Sequence, residues 1–323
     1  MDKQSNTTNH IEAFTINPST IEMLQHHRVV IVIPAYNEER FIGSVVLKIL
    51  KYPVSVIVVD DGSSDDTASI AEAAGANVIK LEKNQGKGKA LNAGFQTACL
   101  MDPDVIVTFD GDGQHLASDL PIVVQPVLNG QADIVIGSRY MQPTSKVPLY
   151  REIGHTFFNL ITRLSSGVPV TDSQSGYRAF SRKAYTSDVF HSTNFTVESE
   201  MQFLAKEYEL KVVEVPITIR YVDKPKRSVI GQGSMVLNGI LHLIGQYRPL
   251  MFFGVPGAFI LTVGIVFGIW VVDIYARIRT LAVGYAMISV LLSMIGMLLL
   301  STGIILHSIR ALLFDYFPHS RNS

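Results

Sequence analysis

The chain has little of what marks a secreted, nucleic-acid-binding or nucleotide-oxidising protein. Only one cysteine, Cys99, occurs in 323 residues. No intrachain disulfide can form, and a reducing compartment is expected. Neither sign of charge is in excess, with 27 basic residues against 28 acidic ones, so no nucleic-acid partner is expected. No G-x-G-x-x-G follows the first apolar run, and no G-x-x-x-x-G-K-[ST] occurs anywhere. A hydride-transfer enzyme therefore has little support. Internal repeats and low-complexity tracts are missing too. Met1–Gln25 lacks the charged-then-apolar pattern of a signal and reads as a polar extension.

Apolar residues are plentiful, at 47% of the chain, and the mean hydropathy is +0.26. The excess lies in the last quarter, where Phe252–Val272 and Leu281–Leu306 carry no charged residue. At about 1.5 Å per residue each spans roughly 30 Å, the thickness of a hydrocarbon core. Two transmembrane helices are expected, joined by the short link Asp273–Thr280 into a hairpin. Lys224, Lys226, Arg227, Arg248 and Arg310 flank the hairpin, which places its flanks, and with them the polar part of the chain, in the cytoplasm. Arg277 and Arg279 in the link pull the other way.

Before the hairpin, β-rich apolar runs alternate with helix-length segments. Val29–Ile33, Val54–Val59, Val78–Leu81, Val105–Phe109 and Ile134–Ile136 read as strands. Glu38–Leu50, Asp65–Ala74, Lys89–Leu100, Leu120–Leu128 and a segment near Glu152–Leu164 read as helices. This rhythm predicts an α/β domain with a mostly parallel sheet covered on both faces. Val212–Val215 and Thr218–Tyr221 read as two further strands broken by Pro216. Gly231–Tyr247 fits an amphipathic helix at a membrane surface, or equally a core-packing helix. The expected layout is a polar extension over 1–27, a catalytic domain over 28–222, a basic loop and interfacial helix over 223–250, two membrane helices over 251–307, and a cytoplasmic tail over 308–323.

In open α/β sheets, ligands bind at the carboxyl ends of the strands. The first strand here is followed by Pro34-Ala35-Tyr36-Asn37-Glu38-Glu39, and the second by Asp60-Asp61-Gly62-Ser63-Ser64-Asp65. The fourth is followed by Asp110-Gly111-Asp112-Gly113-Gln114-His115, and the fifth by Gly137-Ser138-Arg139. Residues two apart in an extended segment face one side. Asp110 and Asp112 can thus share one hard divalent cation that also holds substrate phosphates. A solvated Asp-Gly turn is the plain alternative. Gly86-Lys87-Gly88-Lys89 can open a helix with Lys87 or Lys89 near a phosphate, or be a solvated basic turn.

These motifs, with Asn84-Gln85-Gly86-Lys87-Gly88, Gly137-Ser138-Arg139-Tyr140 and Asp172-Ser173-Gln174-Ser175-Gly176-Tyr177-Arg178-Ala179-Phe180, follow one another in order over about Val29–Tyr221. The chain resembles the family 2 glycosyltransferases of the GT-A (Rossmann-like) fold, and within them the dolichol-phosphate mannosyltransferase-like, polyprenyl-phosphate sugar transferases. Its hairpin resembles the two-span anchors of some members. The resemblance implies that Pro34, Tyr36, Glu38, Asp61, Lys87 and Asp110 bind a nucleotide sugar. It implies Mg²⁺ or Mn²⁺ on Asp110, Asp112 and Gln114, with Asp112, Gln114 and Arg139 in the chemistry. His115 is either a supporting group or a turn histidine. Arg139, Arg151, Ser175, Arg178 and Arg220 are implied to receive the acceptor phosphate. Glu198 and Glu200 lie near where related enzymes carry a base, and are candidates for orienting sugar or acceptor. The usual Gly-x-Ser-Lys pattern is only partly kept, since Gly233-Ser234 is followed by Met235.

The expected activity is inverting, metal-dependent transfer of a GDP- or UDP-linked sugar to polyprenyl or dolichyl phosphate by an enzyme with two spans in the cell membrane. A phosphomonoester is largely ionised at neutral pH and needs no strong base to attack. Another lipid or polysaccharide acceptor is an alternative, as is a degenerate membrane-anchored nucleotide-binding scaffold. A processive polysaccharide synthase usually carries Gln-x-x-Arg-Trp, whereas the single tryptophan here, Trp270, lies in the first apolar run. Whether the chain forms a homo-oligomer is left open.

Overall fold

A computed structural model describes residues 18–141, 166–186, 197–220, 247–280 and 282–316, with a few single positions between 159 and 245. The chain divides into two compact units, one of 1–149, 170–197 and 207–224, the other of 150–169, 198–206 and 225–323.

The first unit is built on seven strands: β1 (Val29–Ala35), β2 (Ser55–Asp60), β3 (Asn77–Lys80), β4 (Val105–Thr108), β5 (Ile134–Ser138), β6 (Arg178–Ser181) and β7 (Val212–Pro216). They lie in the order β3-β2-β1-β4-β6-β5-β7. All neighbours are parallel except β6, which runs antiparallel to both β4 and β5. Strands β1, β2 and β4 are largely unbroken apolar runs because helices cover both faces of the sheet. One consequence governs the site. The C-terminal ends of β1, β2, β4 and β5 and the start of β6 all fall on one edge.

Helices α1 (Pro18–Gln25), α2 (Ile42–Ile49), α3 (Thr67–Ala73), α4 (Lys87–Cys99), α5 (Leu120–Leu128) and α6 (Arg182–Tyr185) belong to this unit. Helix α2 buries Ile42, Val45, Val46 and Ile49, a single stripe at helical spacing. Helix α4 instead packs through small residues. A Cβ on Gly94 would lie 2.3 Å from Val32 Cγ1 and 3.0 Å from Val59 Cγ2. The helix therefore rides directly on β1 and β2, and Phe95 meets Phe180 edge-on at 5.4 Å.

The mostly parallel α/β sheet expected from the βα rhythm is present, with local differences. Strand β6 lies inside a stretch read only as a motif, because four residues are too few to show alternation. Thr218–Tyr221 does not form a strand over its described part. The Thr218 amide is captured by Asp119 Oδ2 at 2.8 Å, and only an isolated bridge joins Ile219 to His115. Helix α2 starts at Ile42 rather than Glu38; a turn precedes it, with the Glu38 and Glu39 amides tied to Thr67 Oγ1 (2.8 Å) and Asp65 Oδ2 (3.3 Å). The segments near Glu152–Leu164 and Gly231–Tyr247 fall largely outside the described residues.

The second unit contains most of α7 (Val197–Glu207), then α8 (Val255–Ile278), entered through a π-helical turn at Leu250–Gly254, and α9 (Val283–Tyr316). Stretches of 29 and 30 residues, Leu250–Ile278 and Val283–Leu312, each have a mean hydropathy of 2.3 over their best window, long and apolar enough to cross a membrane. Arg279, in the left-handed region at φ 59°, ends α8. The two helices meet through glycine and serine. A Cβ on Gly257 would come within 2.5 Å of the Leu300 amide nitrogen, and one on Gly296 within 2.3 Å of that of Leu261. Ser289 Oγ donates to the Gly264 carbonyl at 2.8 Å. Their outer faces are apolar, with Phe259 70% and Leu298 65% exposed.

Gly94→Ala tests the closeness of α4 to the sheet. Alanine favours a helix by up to about 1 kcal/mol over glycine, but here its methyl group overlaps the branched Val32. Thermal unfolding of the full chain should show a net loss of about 1–3 kcal/mol. An unchanged or raised Tm would mean that α4 stands farther off.

Candidate active site at the strand ends

The Asp110–His115 loop leaves β4 after Phe109, whose amide donates to the Val32 carbonyl at 3.0 Å. Phe109 stays in the core, while the side chain of Asp110 is 24% exposed at the sheet edge. Asp110 Oδ1 accepts a hydrogen bond from Lys87 Nζ at 2.6 Å, and Oδ2 pairs with His115 Nε2 at 3.2 Å. The His115 ring is buried against Phe109 and Tyr177, with centroids 5.6 and 5.2 Å away. Its Nδ1 has no partner among the described residues, so the network assigns the proton to Nε2, donated to Asp110. Asp112 Oδ1 accepts the Gln114 amide at 3.0 Å, and Gly113 turns the loop at φ 73°.

Electrostatics separates the two acids. Burial would raise the Asp110 pKa, but the Lys87 ammonium and then His115 outweigh it and hold the carboxyl well below the usual range. Burial and then the Asp110 charge push the Asp112 carboxyl up. Among the described residues Asp112 makes no direct ion pair, whereas Asp110 makes two.

The loop before β6 closes over Asp110. A Cβ on Gly176 would sit 2.4 Å from Asp110 Oδ2, and the Gly176 carbonyl accepts Thr108 Oγ1–H at 2.7 Å. Only glycine allows this approach. The donor set fits a hard cation: two neighbouring carboxylates, one raised by the other's charge, with an ammonium standing where positive charge is wanted. Among the described residues no cluster of three or more His, Cys, Asp or Glu could hold a metal. Such an ion would complete its shell from water and substrate oxygens.

The loops after β1 and β2 are laced together. The Asn37 amide donates to Ser63 Oγ, and the Ser64 amide to Asn37 Oδ1, both at 2.9 Å. Asn37 itself is left-handed at φ 54°. Pro34 lies in β1, Tyr36 is 42% exposed at the edge, and Glu38 follows it. Asp61 is buried, and its two oxygens accept the Gln85 and Gly86 amides at 2.8 Å each. Its carboxylate is directed into the turn that starts α4, and so sets the root of Lys87.

Arg139 follows β5 on the same edge. Its Nε and Nη2 grip both oxygens of the fully buried Asp172 at 2.6 and 2.7 Å. Glu214 in β7 accepts the Thr171 and Asp172 amides at 2.8 and 2.9 Å. Ser175 is buried, and so is Arg178, whose guanidinium donates to the carbonyls of Ser175 (2.8 Å) and Ser173 (2.9 Å). These two arginines hold the 172–178 loop from inside. Arg220 is exposed, with its amide 2.9 Å from the Gln114 carbonyl. Asp61, Asp110, Asp112, Gln114, Arg139, Ser175 and Arg220 are therefore gathered on one edge of the sheet. Arg151 lies outside the described residues. Glu198 and Glu200 lie on α7, in the second unit, where Glu200 Oε1 accepts Tyr247 O–H at 3.4 Å. Sequence reasoning missed Gly176 against Asp110 and the Glu214–Asp172–Arg139 chain. The Ser-Gly-Tyr-Arg and Asp-Ser-Gln motifs pointed to the loop but not to its partners.

Residues 30–187 match the model of the family described as "Glycosyl transferase family 2". A UDP-N-acetylglucosamine–dolichyl-phosphate N-acetylglucosaminyltransferase of Methanococcus voltae is 36% identical, over 60% of this chain and 86% of its own. An undecaprenyl-phosphate mannosyltransferase of Micrococcus luteus is 33% identical, over 65% of this chain and 92% of its own. Among solved structures, glucosyl-3-phosphoglycerate synthase of Mycobacterium tuberculosis, with Mn²⁺, UDP and glucosyl-3-phosphoglycerate, is 25% identical. It superposes with a TM-score of 0.56 over 73% of this chain and 85% of that one. With an acidic pair, a cation-suited seat and several loops meeting on one edge of a GT-A sheet, and with relatives covered over most of their length, the chain belongs to glycosyl transferase family 2.

Proposed function

We propose that the chain moves a sugar from a GDP- or UDP-linked donor to the phosphate of a polyprenyl or dolichyl phosphate at a membrane. The observation that carries this reading is the Asp110–Asp112 pair with Lys87 on Asp110, and with the Arg220 backbone bonded to Gln114 of the same loop. The named reactions of the Methanococcus and Micrococcus relatives supply the acceptor class. A divalent cation on Asp110 and Asp112, Mg²⁺ or Mn²⁺ with Gln114 beside it, would neutralise the departing diphosphate.

The chain's own residues do the rest. Asp61 holds the 84–86 turn so that Lys87 reaches the diphosphate. Tyr36 offers a ring face, and Glu38 an acceptor, to the nucleoside. Arg220 offers a fork to the acceptor phosphate. Arg139 and Arg178 keep the Ser175–Gly176 backbone against Asp110, and act on the acceptor through that loop. The acceptor phosphate is already ionised, so the site needs no strong base. Attack opposite the leaving diphosphate inverts the anomeric centre. Helices α8 and α9 anchor the chain in the bilayer, with the catalytic domain on the cytoplasmic side.

The test is the full chain in lipid nanodiscs, given UDP- and GDP-sugars, a polyprenyl phosphate and Mg²⁺ or Mn²⁺. Mass spectrometry should find one lipid-linked sugar, lost on chelation. No product from any common donor would sink the reading. Asp112→Asn should lower turnover on the order of a thousandfold, about 4 kcal/mol of barrier, with little change in Tm. Gly176→Ala should displace the Asp110 carboxylate and weaken cation-dependent nucleotide binding in calorimetry. Unchanged binding would place that loop farther from Asp110. Arg220→Ala should raise KM for the lipid phosphate about tenfold while leaving that for the nucleotide sugar alone. An equal rise in both would remove Arg220 from the acceptor.

A further inference from the structure

Residues 217–220 leave the sheet after β7 and run along the acidic loop that follows β4. Their burial alternates. Ile217 and Ile219 are buried, Thr218 is half-buried and Arg220 is exposed. Thr218 and Arg220 thus face one side, with the two isoleucines turned into the core. The Ile217 amide donates to the Ser138 carbonyl at 3.1 Å, which starts the strip at the end of β5. Its far end lies on the acidic loop. The Arg220 amide donates to the Gln114 carbonyl at 2.9 Å, and an antiparallel bridge joins Ile219 to His115. Gln114 in turn gives its own amide to Asp112 Oδ1 at 3.0 Å.

In that antiparallel register Thr218 falls opposite Leu116. The Leu116 carbonyl, however, accepts the Asp119 amide at 3.1 Å, because the chain turns there into the short 3₁₀ helix Ala117–Asp119. The Asp119 side chain supplies the acceptor instead, with Oδ2 2.8 Å from the Thr218 amide. This is an unusual use of the residue. Asp119 is the N-cap of α5, where an aspartate ordinarily accepts amides of its own helix. Its carboxylate makes no such bond. One oxygen reaches a partner 99 residues away, and the other accepts Ser118 Oγ–H at 3.3 Å. The carboxylate is diverted from its helix to the strip that carries Arg220.

Resting on the transfer reaction proposed above, we propose that Asp119 is a positioning residue for the acceptor phosphate. Through the Thr218 amide it holds the 217–220 strip on the acidic loop, and so sets where the Arg220 guanidinium stands. Acidic loop and strip then form one hydrogen-bonded ribbon, tied at one end by Gln114 and Arg220 and at the other by Asp119 and Thr218. Without the Asp119 tie the strip hangs on the Gln114 carbonyl alone at this loop, and the Arg220 fork loses its fixed place. Asp110 and Asp112 keep their own hydrogen bonds, so the donor side of the site is spared.

The experiment uses the full chain in nanodiscs, with undecaprenyl phosphate and the UDP- or GDP-sugar that gives product. Asp119→Ser keeps a good N-cap for α5 but is one bond too short for Thr218. It should raise KM for the lipid phosphate about fivefold and leave KM for the nucleotide sugar unchanged. Asp119→Asn keeps an oxygen at the same place and should restore the wild-type KM, which a role of the charge alone would not allow. Asp119→Ser added to Arg220→Ala should raise the lipid KM no further than Arg220→Ala does, because a residue that acts through Arg220 has nothing left to position. Deuterium uptake at the Thr218 amide, read by mass spectrometry, should rise in Asp119→Ser and not in Asp119→Asn. An unchanged lipid KM in Asp119→Ser, an equal rise in both KM values, or effects that multiply in the double variant overturn the positioning role and leave the transfer reaction standing. So does an Asp119→Asn variant that behaves like Asp119→Ser. Formation of no lipid-linked sugar by the wild type overturns the transfer reaction, and this inference with it.

Discussion

Two carboxylates at the end of a buried strand repel each other, and partial burial penalises each charge. Much of this edge is arranged around that problem. Asp110 stays ionised because Lys87 and His115 meet it from two sides. Lys87 can do so only because Asp61, at the end of β2, holds the turn from which α4 starts. His115 can do so only because Phe109 and Tyr177 fix its ring. One electrostatic constraint thus couples β2, β4, α4 and the loop before β6.

Loops at strand ends carry function when a rigid sheet positions them. Here the loops are also tied to each other. Asn37 and Glu38 bond to Ser63, Ser64 and Thr67 across the β1–β2 edge. On the other side, Glu214 holds Thr171 and Asp172, and Asp172 holds Arg139. The buried Arg178 satisfies loop carbonyls that would otherwise be left without donors, a costly state in a dry interior. These braces are polar and mostly side chain to backbone. They fix geometry while each adds only modestly to stability.

The second unit follows other rules. Helices α8 and α9 touch through large side chains near the hairpin link, where Phe267 and Trp270 meet Tyr285 edge-on at 6.1 and 5.9 Å. Along the rest of their length they close through Gly257, Gly264 and Gly296, with Ser289 bonded to a carbonyl across the pair. Such packing is what helices long and apolar enough to cross a membrane need, because in a hydrocarbon solvent apolar side chains would gain nothing by hiding and association would depend on close backbone packing and hydrogen bonds. Most other large apolar residues point outward instead. That pattern is the inverse of the first unit, where β4 is buried along its whole length.

Much of the fold was legible in the chain. Unbroken apolar runs such as Val105–Phe109, alternating with helix-length segments, announce a parallel sheet, and two uncharged runs announce the hairpin. Strand-end motifs also named the acidic pair and the edge. All of these are properties of near neighbours along the chain, and burial of a strand on both faces or a long uncharged helix is written directly into composition. What stayed hidden was pairing at a distance. Thr108 meets Gly176 across 68 residues, and Arg139 meets Asp172 across 33. The insertion of antiparallel β6 between β4 and β5 decides both contacts. It decides too that Arg178 turns inward as a strut. The carboxylate of Asp61 bonds amides 24 and 25 residues away. Which charges meet depends on strand order and on how closely a glycine lets two backbones approach, and neither leaves a periodic trace in the chain.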